Sequence, residues 1–143
     1  MSDTIVIAEL SKGKISQTTN ELVTAANQLG SSCTIVVPCA DSSVANDATN
    51  ISGVAKVIAA KSDVFSNYDA AAWAEAIDAV APSGIIVTSA SAQSKDLAAR
   101  IAARRSISVI QDVISIDGTT LSTPIYSGKV IQNMSLNGDA VIL

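Results

Sequence analysis

The fold class is decided by residues 83–104, which read SGIIVTSASAQSKDLAARIAAR. Ile85–Thr88 follow a Pro-Ser-Gly break and contain only apolar or β-branched residues, so they predict a strand buried on both faces. A turn rich in hydroxyl groups comes next, and we expect a helix to begin near Ser94, with Asp96 and Arg100 paired one turn apart. The stretch therefore predicts that the carboxyl end of a central strand meets the amino terminus of a helix.

The same alternation of strand and helix continues on both sides of this stretch. Further apolar runs predict strands at Thr4–Ala8, Thr34–Val37, Lys56–Ala60 and Ile107–Gln111. Helices are predicted from Thr18 to about Gly30, over Asp41–Asn50 and from Asp69 to Val80. Such an order is typical of a parallel sheet covered by right-handed crossovers. The predicted fold class is α/β, a three-layer open and mostly parallel sheet with helices on both faces.

Local signals predict how the first of these helices begins and ends. Thr18 and Glu21 have the spacing of a capping box, in which each side chain bonds the backbone amide of the other residue. Gly30 is placed to end the helix in the left-handed backbone conformation. Pro38 is expected to stop the second strand, Thr34–Val37.

From Asp112 onward the pattern changes and predicts antiparallel strands. Val113–Ile116 and Leu121–Tyr126 flank an Asp-Gly dipeptide, which is typical of a tight hairpin turn. Two more segments follow after further turns, at residues 129–136 and 140–143. We therefore expect an antiparallel carboxyl-terminal hairpin extension of the sheet. The chain stops inside an apolar run, which leads us to expect a fragment of a longer protein.

Composition limits the classes of function. The 143 residues fit one α/β domain over 1–143, with 48% hydrophobic and 15% charged residues. The net charge is −4 and the nine basic residues are dispersed, so the sequence shows no basic patch for binding nucleic acid or anionic lipid. The apolar runs are far shorter than the roughly 20 residues of a membrane span, and no signal sequence is evident. We therefore expect a protein of the bacterial cytoplasm or, in a eukaryote, of the mitochondrial matrix.

Nucleophiles and metal ligands are scarce. The chain has no histidine, the commonest general base and metal ligand, so we expect no catalytic residues and no metal site. Cys33 and Cys39 flank a predicted strand that would hold their Cα atoms about 20 Å apart, too far for a disulfide. Both are expected to be reduced, buried thiols.

The candidate binding site is the turn at residues 88–94. Ser89, Ser91 and Ser94 with Lys95 could form an anion pocket at a helix amino terminus, although serines at this position are first of all helix caps. No glycine-rich phosphate loop occurs in the chain. Lys95 could also lie beside Asp112, since both follow strands that end at the same edge of the sheet; such a pair would be structural or a subunit contact.

Several segments together resemble the amino-terminal domain of the electron-transfer flavoprotein alpha subunit, in the family's order and at about its spacing. They are residues 5–9 (IVIAE), 25–26 with 29–30 (AA and LG), 53–57 (GVAKV), 95–103 (KDLAARIAA), 111–113 (QDV) and 124–128 (PIYSG). The chain departs from the family at Ser94, where a glycine is usual, and at Ala99, where a proline is usual. The resemblance implies an adenine-nucleotide alpha-hydrolase-like fold.

The resemblance also implies a role in electron transfer rather than an enzyme activity. The chain would be a scaffold that pairs with the beta subunit of a carrier, which takes electrons from flavin dehydrogenases and gives them to a quinone reductase. FAD in the complete protein would be held mainly by a carboxyl-terminal domain beyond Leu143, so we expect no flavin contact in this chain and a colourless protein. Two alternatives stay open: a small adenine-nucleotide-binding module of universal-stress-protein type, and an enzyme.

Overall fold

The structure, a computed structural model, describes residues 3–30 and 32–143. Its helices are α1 (Thr18–Leu29), α2 (Ala70–Val80) and α3 (Ala92–Arg105), with 3₁₀ helices at Ser42–Asn50 and Asp63–Ser66. Its strands are β1 (Thr4–Ile7), β2 (Leu10–Ser11), β3 (Lys14–Ile15), β4 (Cys33–Cys39), β5 (Lys56–Lys61), β6 (Ile85–Val87), β7 (Ser108–Ile110), β8 (Ser115–Asp117), β9 (Thr120–Ile125), β10 (Val130–Ser135) and β11 (Ala140–Ile142).

Six of these strands form a parallel sheet in the order β5-β4-β1-β6-β11-β7. A separate antiparallel sheet has the order β10-β9-β8, and β2 pairs with β3 in a short ribbon. The predicted fold class is confirmed, namely an α/β protein with a mostly parallel sheet, helices on both faces and antiparallel strands near the carboxyl terminus.

The last strand, however, is not part of the antiparallel sheet. β11 is parallel to both of its neighbours, with Val141 opposite Ile86 of β6 and Val109 of β7. The prediction that the whole tail is antiparallel is therefore wrong at β11. Ala140–Ile142 is buried throughout, as an interior parallel strand must be, and an unbroken apolar run does not reveal the direction in which a strand will pair.

The core consists of two layers separated by the parallel sheet. Alternate residues of the strands enter opposite layers, so that Val6 packs with α1 and Ile5 with α2 and α3. The layer beside α1 also contains Leu121 of β9, which is fully buried and joins the antiparallel sheet to the core. The other layer contains the inward face of α3, where four residues at helical spacing are buried: Leu97, Ala98, Ile101 and Ala102.

Both ends of α1 differ from the prediction. Thr18 is already the first helical residue, and Ser16 Oγ accepts a hydrogen bond from its amide at 3.3 Å, so the capping box with Glu21 is wrong. Gly30 is extended, with φ −150°, while its N–H donates to Ala26 O at 3.1 Å, so the left-handed ending is also wrong.

Strand β4 continues through Pro38, which was expected to stop it. The pairing of β1 with β4 ends at Val36, whereas β5 pairs with β4 as far as Cys39. Pro38 therefore lies in a part of β4 that has a ladder on one side only, where a missing N–H can be tolerated as it is on an edge strand.

The carboxyl ends of α2 and α3 are joined by a cluster of charges. Arg105 Nε donates to Asp78 Oδ1 at 2.6 Å, and the same guanidinium donates to the carbonyl oxygens of Ala81 at 2.7 Å and Pro82 at 2.8 Å. Arg104 Nε donates to Asp78 Oδ2 at 3.1 Å. Arginines in the last turn of a helix suit the dipole of that helix, and these two also bind the end of the preceding helix.

Changing Asp78 to asparagine should destabilise the fold in a pH-dependent way. Burial raises the pKa of Asp78, but hydrogen bonds from Arg105 and Arg104 outweigh it and hold that pKa below its ordinary value of 3.8. The ionised group therefore stabilises the fold above pH 3.8, and this contribution is lost as pH falls through the lowered pKa. We expect D78N to cost about 1–3 kcal/mol of unfolding free energy at pH 7, measured by urea denaturation, and less at pH 3.

Asp96 provides the matched control, because it forms an exposed ion pair with Arg100 at 3.2 Å, one turn along α3. We expect D96N to cost about 0.5 kcal/mol or less. Equal losses in the two variants at pH 7, or a loss in D78N that does not change with pH, would contradict the role of Asp78.

Among the residues that the structure describes, no helix combines the length and the apolar character that crossing a membrane requires.

Candidate functional site

A small cavity lies at the carboxyl edge of the parallel sheet, between the ends of β1 and β6. It is lined by Ala8 after β1, Pro38 of β4, Trp73 of α2, and Thr88 and Ser94 beside the start of α3. The chain order reverses between β1 and β6, which is the position where open α/β sheets bind ligands. The cavity volume is about 70 Å³, which is room for a few water molecules.

The three predicted serines do come together at this edge. Ser91 is the amino-terminal cap of α3, and its Oγ accepts a hydrogen bond from the Ser94 amide at 3.2 Å. Ser94 Oγ lies 2.7 Å from Ser89 Oγ and accepts a hydrogen bond from Ser91 Oγ at 3.0 Å. The hydroxyl groups therefore satisfy one another and the helix terminus, as the capping alternative predicts.

Lys95 is directed to a different partner. Its Nζ donates to Asp112 Oδ1 at 3.2 Å, which confirms the predicted proximity of these two residues. Asp112 follows β7 and has a left-handed backbone with φ 56°, an uncommon conformation that aspartate tolerates better than most residues. The predicted anion pocket of Ser89, Ser91, Ser94 and Lys95 stays a prediction, and this pairing of the lysine gives it no support.

Aromatic side chains form the outer wall beside the cavity. Trp73 packs edge-to-face against Phe65 and Tyr68, with ring centroids 5.0 and 5.2 Å away. Tyr68 donates from its hydroxyl to Asp96 Oδ2 at 3.2 Å, and burial together with this carboxylate raises the pKa of Tyr68. Asp96 also accepts from Arg100 Nε, as predicted. The aromatic residues thus connect α2, through Trp73 and Tyr68, to α3, and Trp73 anchors this packing.

Both cysteines are free and buried, as the sequence predicts. Burial raises the pKa of the Cys33 thiol and, together with the nearby Asp41 carboxylate, that of Cys39. Since a thiol reacts as its thiolate, these environments are typical of structural cysteines rather than of nucleophiles.

A second candidate surface lies at the turn between β9 and β10, far along the chain from the cavity residues. Tyr126, Ser127 and Gly128 all have left-handed backbones, with φ 51°, 55° and 82°. The Tyr126 side chain is 76% exposed, and the next strand begins with Val130 and Ile131, which are 46% and 49% exposed. We call Tyr126–Ile131 the hairpin tip. Its apolar side chains are presented to solvent rather than packed in the core.

Sequence reasoning missed this surface. Tyr126 was expected at the end of a strand, whereas the structure places it at the first position of the turn, before Ser127 and Gly128. One signal was available in the sequence. Tyr126 and Ser127 occupy the first two turn positions, where a tight hairpin turn usually has asparagine, aspartate or glycine.

The cavity at the carboxyl edge of the sheet is too small for a flavin. Pockets for drug-sized ligands occupy roughly 300–1,000 Å³, and FAD is larger than most such ligands. The cavity of about 70 Å³ is a small fraction of that size, and the serines at its rim bond one another.

Comparisons with known proteins agree on one family. A family model described as "Electron transfer flavoprotein domain" matches residues 4–143. The chain is 27% identical over 149 residues to "Electron transfer flavoprotein subunit alpha" of Mycobacterium tuberculosis, which covers 100% of the chain and 46% of that relative. It is 32% identical over 145 residues to "Electron transfer flavoprotein subunit alpha, mitochondrial" of Arabidopsis thaliana, covering 94% and 40%. In Paracoccus denitrificans the corresponding alpha subunit is 29% identical, covering 90% and 42%.

The chain thus spans a little less than half the length of these relatives. Its motif order, its parallel sheet and the match over nearly every residue point the same way, and the resemblance noted in the sequence is confirmed. The chain belongs to the electron transfer flavoprotein family, as an amino-terminal domain of the alpha-subunit type.

Proposed function

We propose that this chain is the scaffold domain of an electron transfer flavoprotein and pairs with a beta subunit, acting as part of a carrier rather than as an enzyme. The carrier takes electrons from flavin dehydrogenases and passes them to a quinone reductase. FAD is held by alpha-subunit residues outside this chain together with the beta subunit, in the bacterial cytoplasm or the mitochondrial matrix. The family match and the relatives named "subunit alpha" support this proposal, since that name implies a second kind of subunit.

The observation that carries the pairing role is the hairpin tip. A bulky residue at positive φ is a genuine conformational outlier, and it persists where the surroundings or a function require it. Tyr126 makes such a turn while its side chain stays largely in solvent, next to Val130 and Ile131. Tyrosine is enriched among residues that dominate binding energy at protein interfaces. The hairpin tip is therefore the surface that contacts the beta subunit.

The alternative of a nucleotide-binding module finds no specific support in the geometry. Its phosphate ligands would be Ser89, Ser91, Ser94 and Lys95, but the hydroxyl groups bond one another and Lys95 is paired with Asp112. The cavity beside them, of about 70 Å³, is far below the size of an adenine nucleotide site.

Replacing Tyr126 with asparagine should have opposite effects on folding and on pairing. Asparagine tolerates the left-handed conformation, so we expect Y126N to raise the free energy of unfolding by about 0.5–1 kcal/mol in urea denaturation. Loss of the aromatic ring should weaken binding to the beta subunit by about 2 kcal/mol, or roughly thirtyfold, as for an interface hot spot. Titration calorimetry with the beta subunit and the remaining part of the alpha subunit measures the second effect.

The other tyrosine serves as control, because Tyr68 precedes α2 and its hydroxyl contacts Gln93 O and Asp96 Oδ2 of α3, away from the hairpin tip. Y68A should lower stability, since it removes the contact with Trp73, and leave the affinity within about twofold. If the wild-type chain forms no complex on size exclusion, the pairing role is wrong. If Y126N binds as well as wild type, the hairpin tip is not the pairing surface.

A further inference from the structure

The edge strands of the two larger sheets differ in how well they are protected against pairing with other chains. β5 carries Lys56 and Lys61 at its two ends, and the Ser42–Asn50 3₁₀ helix packs beside it. β7 and β8 are each three residues long, and α1 packs against β8. Charges, shortness and a covering helix are the usual means by which proteins prevent edge strands from pairing with other chains.

β10 has none of these protections. It is six residues long, reads VIQNMS without charge or proline, and is exposed at every position except the half-buried Met134. Among the described residues β9 is its only pairing partner, so one side of its backbone is open. The hairpin tip continues directly into this strand.

The open side of β10 can be assigned residue by residue. Just beyond the ladder, the Leu136 N–H donates to Thr119 O at 2.8 Å. Residues that face the neighbouring strand alternate with residues that face away from it along an antiparallel pair. The odd-numbered residues of β10 therefore direct their N–H and C=O groups to the open edge, and they are Ile131, Asn133 and Ser135.

The register of β9 gives the same assignment independently. Ser122 lies opposite Asn133, and its carbonyl oxygen accepts from the Ile114 N–H at 2.9 Å, on the side of β8. Ser122 thus faces away from β10, and its partner Asn133 must face away from β9.

From these observations we infer that an extended segment of the beta subunit adds to the open edge of β10 and continues the three-stranded sheet into the partner. This inference rests on the pairing role proposed above. The free backbone groups of Ile131, Asn133 and Ser135 would supply the hydrogen bonds, as in other cases of strand addition. The exposed side chains of the hairpin tip would then contact the partner beside the new strand.

Amide hydrogen exchange measured by NMR distinguishes strand addition from other ways of pairing. In the free chain the amides of Ile131, Asn133 and Ser135 should exchange fast, while those of Gln132 and Met134 are protected by β9. In the complex with the beta subunit the three odd-numbered amides should slow at least tenfold. If the complex forms and these amides keep their free rates, strand addition is wrong although the pairing role stands. If no complex forms, the proposed function itself fails.

A pair of substitutions at one position tests the same point by affinity. N133P removes an outward N–H without breaking a backbone hydrogen bond to β9, and proline is tolerated on an open edge. It also removes the Asn133 Oδ1 that accepts from Ser122 Oγ of β9 at 2.6 Å, a loss that the alanine variant shares. N133A removes the side chain but keeps that N–H. We expect N133P to weaken binding at least tenfold and N133A to change it less than threefold; equal effects would overturn the inference. If N133P does not fold, the exchange experiment on the unchanged chain decides.

A second copy of this chain is the competing occupant of the edge. Its presence would protect the odd-numbered amides of β10 in the free protein at high concentration, and the protection would disappear on dilution. That result would overturn the assignment of the edge to the beta subunit.

Discussion

Replacing Val141 with aspartate is expected to unfold the domain. Val141 is fully buried in β11, between Ile86 of β6 and Val109 of β7. The carboxylate would lie in the apolar layer beside α2 and α3 without a partner, at a cost of about 3–5 kcal/mol or more. Because domains of this size are stable by only about 5–15 kcal/mol, we expect V141D to lose most or all of its cooperative urea transition, followed by far-UV circular dichroism.

Two controls separate the position from the chemistry of the change. V130D introduces the same charge at an exposed position of β10 and should alter the unfolding free energy by only about 0.5 kcal/mol. V141I keeps the position apolar and should cost about 1–3 kcal/mol, the usual range for overpacking. A V141D variant that unfolds at the wild-type urea concentration would mean that β11 does not lie inside the parallel sheet.

The fold class was predictable because the strongest signals are local. The short apolar run Ile85–Val87 with its Pro-Ser-Gly break favours a strand, and the spacing of Leu97, Ala98 and Ile101 favours a helix. Both are found as expected. The position of β11 was not predictable in the same way. Ala140–Ile142 is apolar at every residue, so its pattern is compatible with parallel or antiparallel pairing at any buried position of a sheet. Its place between β6 and β7 depends on the tertiary structure.

The candidate site, too, could be predicted only in part from the sequence. The serine turn follows a strand and precedes a helix, so its position at the carboxyl edge of the sheet could be derived from the sequence. Whether those hydroxyl groups stay free for a ligand depends on distances of about 3 Å between Ser89, Ser91 and Ser94, which no pattern specifies. The exposure of Tyr126 is set by a strained turn that breaks the usual residue preferences, which is where sequence rules are expected to fail.

Replacing Gly84 with alanine is expected to cause a comparably large loss of stability, because two effects add at this position. Gly84 has φ +147°, a conformation used almost only by glycine, which by itself costs another residue about 1–3 kcal/mol. A Cβ would also collide with the carbonyl oxygen of Asp3 and lie 2.8 Å from Ile5 Cδ1. That same carbonyl oxygen accepts from the Ile85 N–H at 3.0 Å, so relief of the collision would disturb the pairing of β1 with β6.

Gly138 separates the two effects, since it has a similar φ of +153° and no neighbouring atom within 4 Å of an added Cβ. G138A should therefore show the conformational cost alone, while G84A should exceed it by about 1–3 kcal/mol, the usual range for overpacking. Both free energies are measured by urea denaturation at pH 7. Equal losses would show that β1 moves aside without cost. A larger loss in G84A would show that the close approach of Gly84 to Asp3, at the amino ends of β1 and β6, cannot be relieved without cost.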